Sequence, residues 1–435
     1  MRPILSARSI RLTLSVISGT AGQFASLLAP LLVMPAMLNS LGDEAFGVWA
    51  ASVAITGVMA FMDLGIGSGL LSRIPDAAAR GDNASVRRDI ASAYALLGSI
   101  AGVGVSAVLL VSVTGFFEYF VAPNMWPIAA AVLSVFFLGM PSVIIYRILQ
   151  SLLWIPLQST LQISGAIGSI FACLAAIYLN APSWLIVLAY GGAPVLVMIL
   201  ASLCFFFREK QFKPGLQDFS FGDAKLLVGL GSHFFILSIL TAIGTNADII
   251  IISHLAGPAE VASFVPPMRL GSVMALLIAQ LFMPLWSFNA HAVARGDVAW
   301  VRRTTLFMSL GGVLLVIIVG LTITAFSDFI MMLWMHRTFA KQDAVLLAMT
   351  AASAVIAFTS PYNMVLNSQG RAKEQILPWF AFVVVSVALK MWLVTGDRTW
   401  LAPAITSICY LALVTPMMIF RARQIMASFE LRKEN

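Results

Sequence analysis

The chain has 435 residues, of which 60% are hydrophobic and only 10% are charged, and its mean hydropathy is +0.95. A water-solvated domain usually carries about a quarter charged residues, so this composition excludes an ordinary soluble globular protein. The net charge of +7 does not indicate nucleic-acid binding, because the basic residues are spread over short loops and form no single patch.

Apolar runs alternate with short charged segments along the whole chain. Each crossing of a bilayer needs roughly 20 mostly apolar residues, and the runs have about this length. We therefore predict an all-α integral membrane protein with about 12 transmembrane helices. The predicted helices span 12–38, 45–72, 90–115, 126–146, 156–179, 184–207, 224–252, 261–289, 304–326, 344–366, 375–394 and 400–420.

The distribution of Lys and Arg predicts the orientation of these helices. Of the 26 basic residues, 21 lie at the termini or in alternate loops, a side that the positive-inside rule places in the cytoplasm. Both termini are therefore predicted to be cytoplasmic. Arg269 and Lys390 fall inside predicted helices, and Lys390 is close enough to the outer end of its helix for its ammonium to reach the interface. Arg147, at a cytoplasmic helix end, is predicted to be an interfacial anchor.

A ten-residue loop occurs twice in the sequence. The segment ARGDNASVRR at 79–88 recurs as ARGDVAWVRR at 294–303, with eight identical positions and an offset of 215 residues. Asp82 and Asp297 are placed to cap the helix that follows each copy. Gly42 and Gly257 lie at the same offset, in the matching outer turns.

This repeat predicts two similar lobes of six helices each. Because six is even, the lobes have parallel topology and are related by a pseudo-twofold axis along the membrane normal, an arrangement typical of transporters. We predict an N-terminal lobe at 1–207, a cytoplasmic linker at 208–223, a C-terminal lobe at 224–421 and a cytoplasmic tail at 422–435.

Asp63 is one of the few ionisable residues inside a predicted helix. It lies about 10 residues, or roughly 15 Å, from the basic loop residue Arg73. A charge near the bilayer centre costs at least about 2.5–3.5 kcal/mol on insertion scales. Asp63 is therefore predicted either to couple transport to a proton or sodium ion, or to partner a cationic residue that binds the substrate, or to fix helix packing. Gly65 and Gly67 nearby allow local unwinding.

Arg269 is the predicted substrate contact, because its guanidinium suits phosphate groups. It follows Pro266 and Pro267, which predict a kink. The alternative is an internal pair with Asp248, which is predicted to act in coupling and gating or in structural pairing.

Two uncharged polar residues complete the predicted site. Asn246, close to Asp248, is predicted to line the same cavity. Gln23 either lines the substrate path or forms a hydrogen bond between helices.

Motifs for catalysis or metal binding are not found. The four His and three Cys residues are widely separated, with no zinc-ligand spacing, no Walker A motif and no GxSxG nucleophile elbow. We predict no enzyme activity, no cofactor and no metal site.

Three segments of the sequence carry a family resemblance. The first is LGDEAFGVW at 41–49, the second is MDLGIG at 62–67, and the third runs from Asp248 to Arg269, with Phe264 where Tyr is usual. These segments resemble the polysaccharide and O-antigen flippases of the multidrug, oligosaccharidyl-lipid and polysaccharide exporter superfamily. The resemblance implies two six-helix lobes that alternate between inward-facing and outward-facing states.

The resemblance also implies a substrate and a location. The substrate would be a polyprenyl-diphosphate-linked oligosaccharide, moved across the bacterial inner membrane for O-antigen of lipopolysaccharide, capsule or exopolysaccharide. Membrane lipids, a polysaccharide polymerase and a chain-length regulator would be its partners. The alternatives are a cation-coupled multidrug exporter of the same fold and, third, a membrane glycan polymerase or ligase.

Overall fold

A computed structural model describes residues 7–59, 62, 64–114, 124–230, 232–294, 297–369, 371 and 373–434. Regular secondary structure in this part of the chain is helical. Contacts divide the chain into two compact units, Met1–Phe235 and Ile236–Asn435, which we call unit 1 and unit 2. Asp63 and the side chain of Gln23 lie outside the described residues.

The described residues of unit 1 form eight α-helices. Their bounds are α1 (Ala7–Met59), α2 (Ile66–Ala79), α3 (Asn83–Thr114), α4 (Trp126–Ser142), α5 (Ile144–Ser151), α6 (Ile155–Tyr178), α7 (Ser183–Arg208) and α8 (Phe221–Leu230).

Unit 2 is built from the remaining helices, and α9 begins just before its boundary. Their bounds are α9 (Ser232–Ala256), α10 (Pro258–Ala294), α11 (Val298–Ala325), α12 (Ser327–Met335), α13 (Gln342–Ser368), α14 (Lys373–Leu393), α15 (Leu401–Cys409) and α16 (Thr415–Glu434), with a π-helical turn between the last two at Tyr410–Val414.

The described helices account for the predicted twelve spans. Ten segments are long and apolar enough to cross a membrane. One of them, Phe24–Met59, covers parts of two predicted spans, because the chain turns at Gly42, where φ is 78° and ψ is 168°. The 37 residues of α10 supply the remaining span and continue through Pro266 and Pro267.

The repeated loop and the outer turns have the predicted local structure. Asp82 accepts a hydrogen bond from the backbone N–H of Ser85 at 3.0 Å, and Asp297 accepts one from Trp300 at 3.1 Å. Both residues therefore cap the next helix as predicted. The Ser85 hydroxyl also donates to Asp82, and these bonds hold the pKa of Asp82 below its ordinary value. Gly257 has φ of 87°, so it matches Gly42 in adopting positive φ.

Several predicted spans are interrupted. The predicted helix at 45–72 stops at Met59 and resumes at Ile66, and between them Leu64 and Gly65 have φ of 53° and 72°. The next interruption follows Pro141, where α4 gives way to α5 at Val143. Breaks in membrane helices free backbone groups and are typically found where the chain borders a cavity.

The segment between α7 and α9 is held against α2 and α3 within unit 1. Arg73 on α2 contacts Asp223 on α8 at 2.6 Å and the buried Asp89 on α3 at 2.9 Å. Ser92 on α3 donates to the backbone carbonyl of Ser220 and accepts from its N–H, both at 3.2 Å. The chain leading into α8 is therefore tied to α2 and α3.

The arginines of the first repeated loop join this network. Arg87 lies 3.7 Å from Asp218, and Arg88 lies 3.7 Å from Asp223. The carboxylates after α7 thus neutralise the basic pair that ends the ARGDNASVRR segment.

Candidate functional site

A cavity of about 280 Å³, lined mostly by apolar atoms with several uncharged polar groups among them, lies in unit 1 among α1, α5, α6 and α7. It combines two phenol groups, an amide and two hydroxyls with small and apolar side chains. Its polar lining residues are Ser26, Tyr146, Gln162, Ser169 and Tyr190. The described lining residues include no charged side chain, so this cavity suits a ligand rich in neutral hydrogen-bonding groups.

Close packing of α1 on α6 positions Gln162 in this cavity. A Cβ atom added at Gly22 would lie only 2.5 Å from Oε1 of Gln162. Glycine at this position therefore leaves room for the Gln162 amide. Gln23, a predicted substrate contact, follows Gly22 on the same turn of α1, and Ser26 lies one turn further along.

Two of the segments that carry the family resemblance lie beside this cavity. Trp49, which ends the LGDEAFGVW segment, packs edge-on against Tyr190 with ring centroids 6.0 Å apart. At Gly67, which ends the MDLGIG segment, an added Cβ would lie 2.8 Å from Nε of Arg147. Arg147 follows the cavity residue Tyr146 on α5, so both segments contact helices that line the cavity.

This contact changes the interpretation of Arg147. The residue was predicted to anchor a helix end at the membrane interface, yet its guanidinium lies half-buried against α2. Gly67 accommodates the arginine because it has no side chain. The sequence pattern did not indicate this pairing, because the two residues lie on different helices and 80 positions apart.

In unit 2, Asp248 on α9 forms an ion pair with Lys390 on α14 at 2.5 Å. The Lys390 side chain is 0% exposed and that of Asp248 is 13% exposed. The prediction that Lys390 reaches the membrane interface is therefore wrong. Its ammonium is retained in the interior because a carboxylate from a neighbouring helix balances its charge.

The other predicted residues of unit 2 lie on separate helices. The Asn246 side chain donates to the carbonyl of Ala242 at 2.8 Å, one turn back on its own helix. Arg269 is half-buried on α10, and its backbone carbonyl accepts a hydrogen bond from the Ser272 hydroxyl. The structure thus places Asp248 with Lys390, and it leaves the roles of Asn246 and Arg269 as predictions.

The fold and its surface define a multi-pass membrane protein. Helices in both units expose large apolar side chains, as in Phe171 at 69% and Phe307 at 72%, which is the pattern expected of lipid-facing surfaces.

Solved structures with this fold are transporters. An inward-facing multidrug resistance MATE family transporter of the MOP superfamily has a TM-score of 0.72 and 14% identity, covering 94% of this chain and 98% of that one. Its outward-facing counterpart has a TM-score of 0.60 and 16% identity, covering 97% and 95%. A MOP superfamily transporter from Pyrococcus furiosus has a TM-score of 0.64 and 15% identity, covering 97% and 96%.

A family comparison narrows this class. Residues 12–287 match the model of a family described as polysaccharide biosynthesis protein. The match covers more than half of the chain, which therefore belongs to this polysaccharide biosynthesis family. No curated protein matches the sequence.

Proposed function

We propose that this protein is a flippase that moves polyprenyl-diphosphate-linked oligosaccharide across the bacterial inner membrane by alternating access. It would serve the export of O-antigen, capsule or exopolysaccharide, with both termini in the cytoplasm. Family membership and the transporter fold support a role in moving a polysaccharide precursor.

The unit 1 cavity, with uncharged polar groups among apolar ones, is the observation that favours a glycan. Sugars present hydroxyl groups that both donate and accept hydrogen bonds, and they have apolar faces that pack on aromatic rings. Gln162 supplies both a donor and an acceptor, and Tyr146 and Tyr190 supply rings as well as hydroxyls. An exporter of organic cations would gain affinity from a carboxylate, and the described lining residues contain none.

The substrate's diphosphate needs a cation, and Arg269 is our candidate. A guanidinium on a membrane helix carries a fixed charge and binds phosphate oxygens in pairs. Gln23 and Asn246 are proposed to line the substrate path with it. The lipid tail would remain among membrane lipids, and a polymerase and a chain-length regulator would act on the exported unit.

Coupling to a proton or sodium gradient is proposed to involve Asp63. Asp248 was predicted to share this role, and its pairing with Lys390 supports a gating function in which the ion pair opens and closes. Replacement of Asp63 by Asn should abolish the dependence of flipping on an imposed gradient. Unchanged gradient dependence in this variant would remove Asp63 from the coupling scheme.

The test is flipping of a polyprenyl-diphosphate-linked sugar in proteoliposomes, followed by enzyme accessibility of the sugar. We expect Arg269→Ala to abolish flipping and Gln162→Ala to reduce it roughly tenfold, the effect of losing a charged or a neutral hydrogen-bonding contact respectively. The matched control is Arg398→Ala, which removes an exposed arginine from a predicted outer loop.

Two results would contradict the proposal. One is a folded wild-type protein that flips no glycan lipid under any gradient but exports organic cations, which would make it a multidrug exporter. The other is equal flipping by wild type and Gln162→Ala, which would remove the unit 1 cavity from the substrate path.

A further inference from the structure

Unit 2 contains a second cavity, of about 390 Å³, where α11, α13 and α16 meet. It is lined by Arg302 and Thr305 of α11, Tyr362 of α13 and Arg423 of α16, with Leu306 and Met426 beside them. Its volume lies within the range of about 300–1,000 Å³ that is typical of ligand pockets. The basic loops place this end of the helices on the predicted cytoplasmic side.

The cavity is strongly cationic. Arg302 and Arg423 are both exposed, and no described carboxylate lies within ion-pair distance of either guanidinium. Two guanidinium groups at one cavity repel each other, and an anion that bridges them removes this repulsion. Phosphate fits this arrangement, because each guanidinium can bind two of its oxygens.

Thr305 gives an independent indication that the cavity binds a polar group. It lines the cavity and is 2% exposed, yet its hydroxyl has no hydrogen-bonding partner among the described residues. Buried hydroxyls are nearly always bonded, and an unpartnered one commonly marks the place of a water, ion or ligand.

Further unpartnered polar groups lie close to Thr305 in the helix register. A Cβ at Gly312 of α11 would lie 2.5 Å from Phe282 of α10. The two helices run antiparallel, so seven residues before Gly312 on α11 and seven residues after Phe282 on α10 lie opposite each other. These positions are Thr305 and Asn289, and the side-chain amide of Asn289 is buried and has no described hydrogen-bonding partner. Polar groups therefore continue from the cavity into the interface between α10 and α11.

The internal repeat allows Arg302 to be compared with its counterpart in unit 1, which has a carboxylate nearby. Arg302 in the second copy of the loop corresponds to Arg87 in the first copy, at the offset of 215 residues. Arg87 has Asp218 as its counter-ion at 3.7 Å, supplied by the segment that follows α7. In unit 2, Arg302 lines the cavity beside a second cation, Arg423 of α16, and no described carboxylate pairs with it.

We propose that this cavity binds a phosphate group at the cytoplasmic surface of unit 2. The headgroup of an anionic lipid is the expected source, because Leu306 and Met426 provide apolar contacts beside the arginines. The inference does not depend on the substrate proposed above, since all of its residues lie outside the unit 1 cavity.

The test compares phosphatidic acid with diacylglycerol, which differ by the phosphate, on the purified full chain in detergent micelles. Native mass spectrometry measures the bound lipid. We expect phosphatidic acid to bind wild type, and the variant that combines Arg302→Gln with Arg423→Gln to bind it at least about tenfold more weakly. Arg303→Gln is the matched control, because it removes the neighbouring charge, which does not line the cavity, and it should bind as wild type does.

Thr305→Val provides a second test that does not change charge. It removes a hydroxyl without a described partner and keeps the side-chain shape, so the variant should fold, and its affinity for phosphatidic acid should fall several-fold. Glycerol 3-phosphate, with glycerol as its control, identifies the source of the phosphate. Displacement of bound phosphatidic acid by glycerol 3-phosphate would support a site that also accepts soluble phosphates, whereas binding of the lipid alone would support a headgroup site.

The proposal is overturned if phosphatidic acid binds wild type no better than diacylglycerol and glycerol 3-phosphate does not bind. It is also overturned if the double arginine variant retains wild-type affinity, since the two guanidinium groups would then take no part.

Discussion

In unit 1, Arg87 of the repeated loop lies 3.7 Å from Asp218, whereas in unit 2 the matching Arg302 lines a cavity together with Arg423. The loops are identical at eight of ten positions, and both begin a helix behind an aspartate cap. The difference lies in what packs against them, because Asp218 of the segment after α7 lies near Arg87, whereas Arg423 of α16 lines the cavity beside Arg302. A repeated motif thus fixes local backbone structure, while its electrostatic role is set by neighbours elsewhere in the chain.

The largest effect is expected at the buried pair of unit 2. Asp248→Ala would leave the ammonium of Lys390 buried without a counter-ion, and removal of one partner from a buried ion pair typically costs about 3–5 kcal/mol. Thermal unfolding in detergent should show a marked loss of stability. Combining Asp248→Leu with Lys390→Met should restore most of it, because no charge then remains buried. Wild-type stability of the single variant would show that Lys390 finds another partner.

A smaller loss is expected when the charge network of unit 1 is broken. Arg73→Ala removes the guanidinium that contacts Asp223 and the buried Asp89, whose side chain is 1% exposed. Because Asp223 remains near Arg88, we expect a loss of about 2–3 kcal/mol, below that at Asp248. The measurement is again thermal unfolding, with proteolysis between α7 and α9 as a local readout. Equal proteolysis rates in variant and wild type would mean that Arg73 does not hold this segment.

Substitutions in the two outer turns test whether Gly42 and Gly257 experience the same backbone strain. Gly42→Ala places a side chain at φ of 78° and ψ of 168°, a region adopted almost only by glycine, so the expected cost is about 1–3 kcal/mol. Gly257→Ala, at φ of 87°, should cost a similar amount. No atom lies within 4 Å of an added Cβ at either position, so backbone strain alone is measured. A loss at one turn and none at the other would limit the equivalence of the two halves.

The smallest expected change in stability follows substitution of the matching arginines Arg87 and Arg302. This pair also gives the clearest contrast between the two copies of the loop. Arg87→Gln breaks an exposed pair, which is worth at most about 1 kcal/mol. Arg302→Gln should leave stability unchanged or raise it slightly, because it relieves repulsion from Arg423. Thermal unfolding at low and high salt measures both effects, which should have opposite signs at low salt and should both shrink as salt screens the charges. A loss of stability in Arg302→Gln at low salt, equal to that in Arg87→Gln, would contradict the contrast.

Much of the fold could be predicted because its signals are local in sequence. Runs of apolar residues mark the helices, and Asp82 and Asp297 mark helix starts by their position before the basic pair. The buried contact between Lys390 and Asp248 could not be predicted, because it depends on how α9 and α14 pack. Distance from the helix end favoured an interfacial lysine, and a counter-ion on another helix reversed that preference.

The candidate site was harder to predict than the helices. Because burial of a charge in a membrane helix is costly, the sequence predicts functional roles for Asp63 and Arg269. Gln162, Tyr146 and Tyr190 carry no charge, and in sequence they cannot be distinguished from residues that join two helices by a hydrogen bond. Only the packing of α1 on α6 identifies them as the lining of one cavity.

The hydrogen bonds between Ser92 and Ser220, together with the contact between Arg73 and Asp223, have a practical consequence for dissecting the protein. A fragment cut at Arg208 would discard Asp218 and Asp223, which lie near Arg87 and Arg88, and would leave Arg73 with Asp89 alone. A half-length fragment should instead be cut after α8, so that its basic surface keeps its own counter-ions and does not attract unrelated anions during purification.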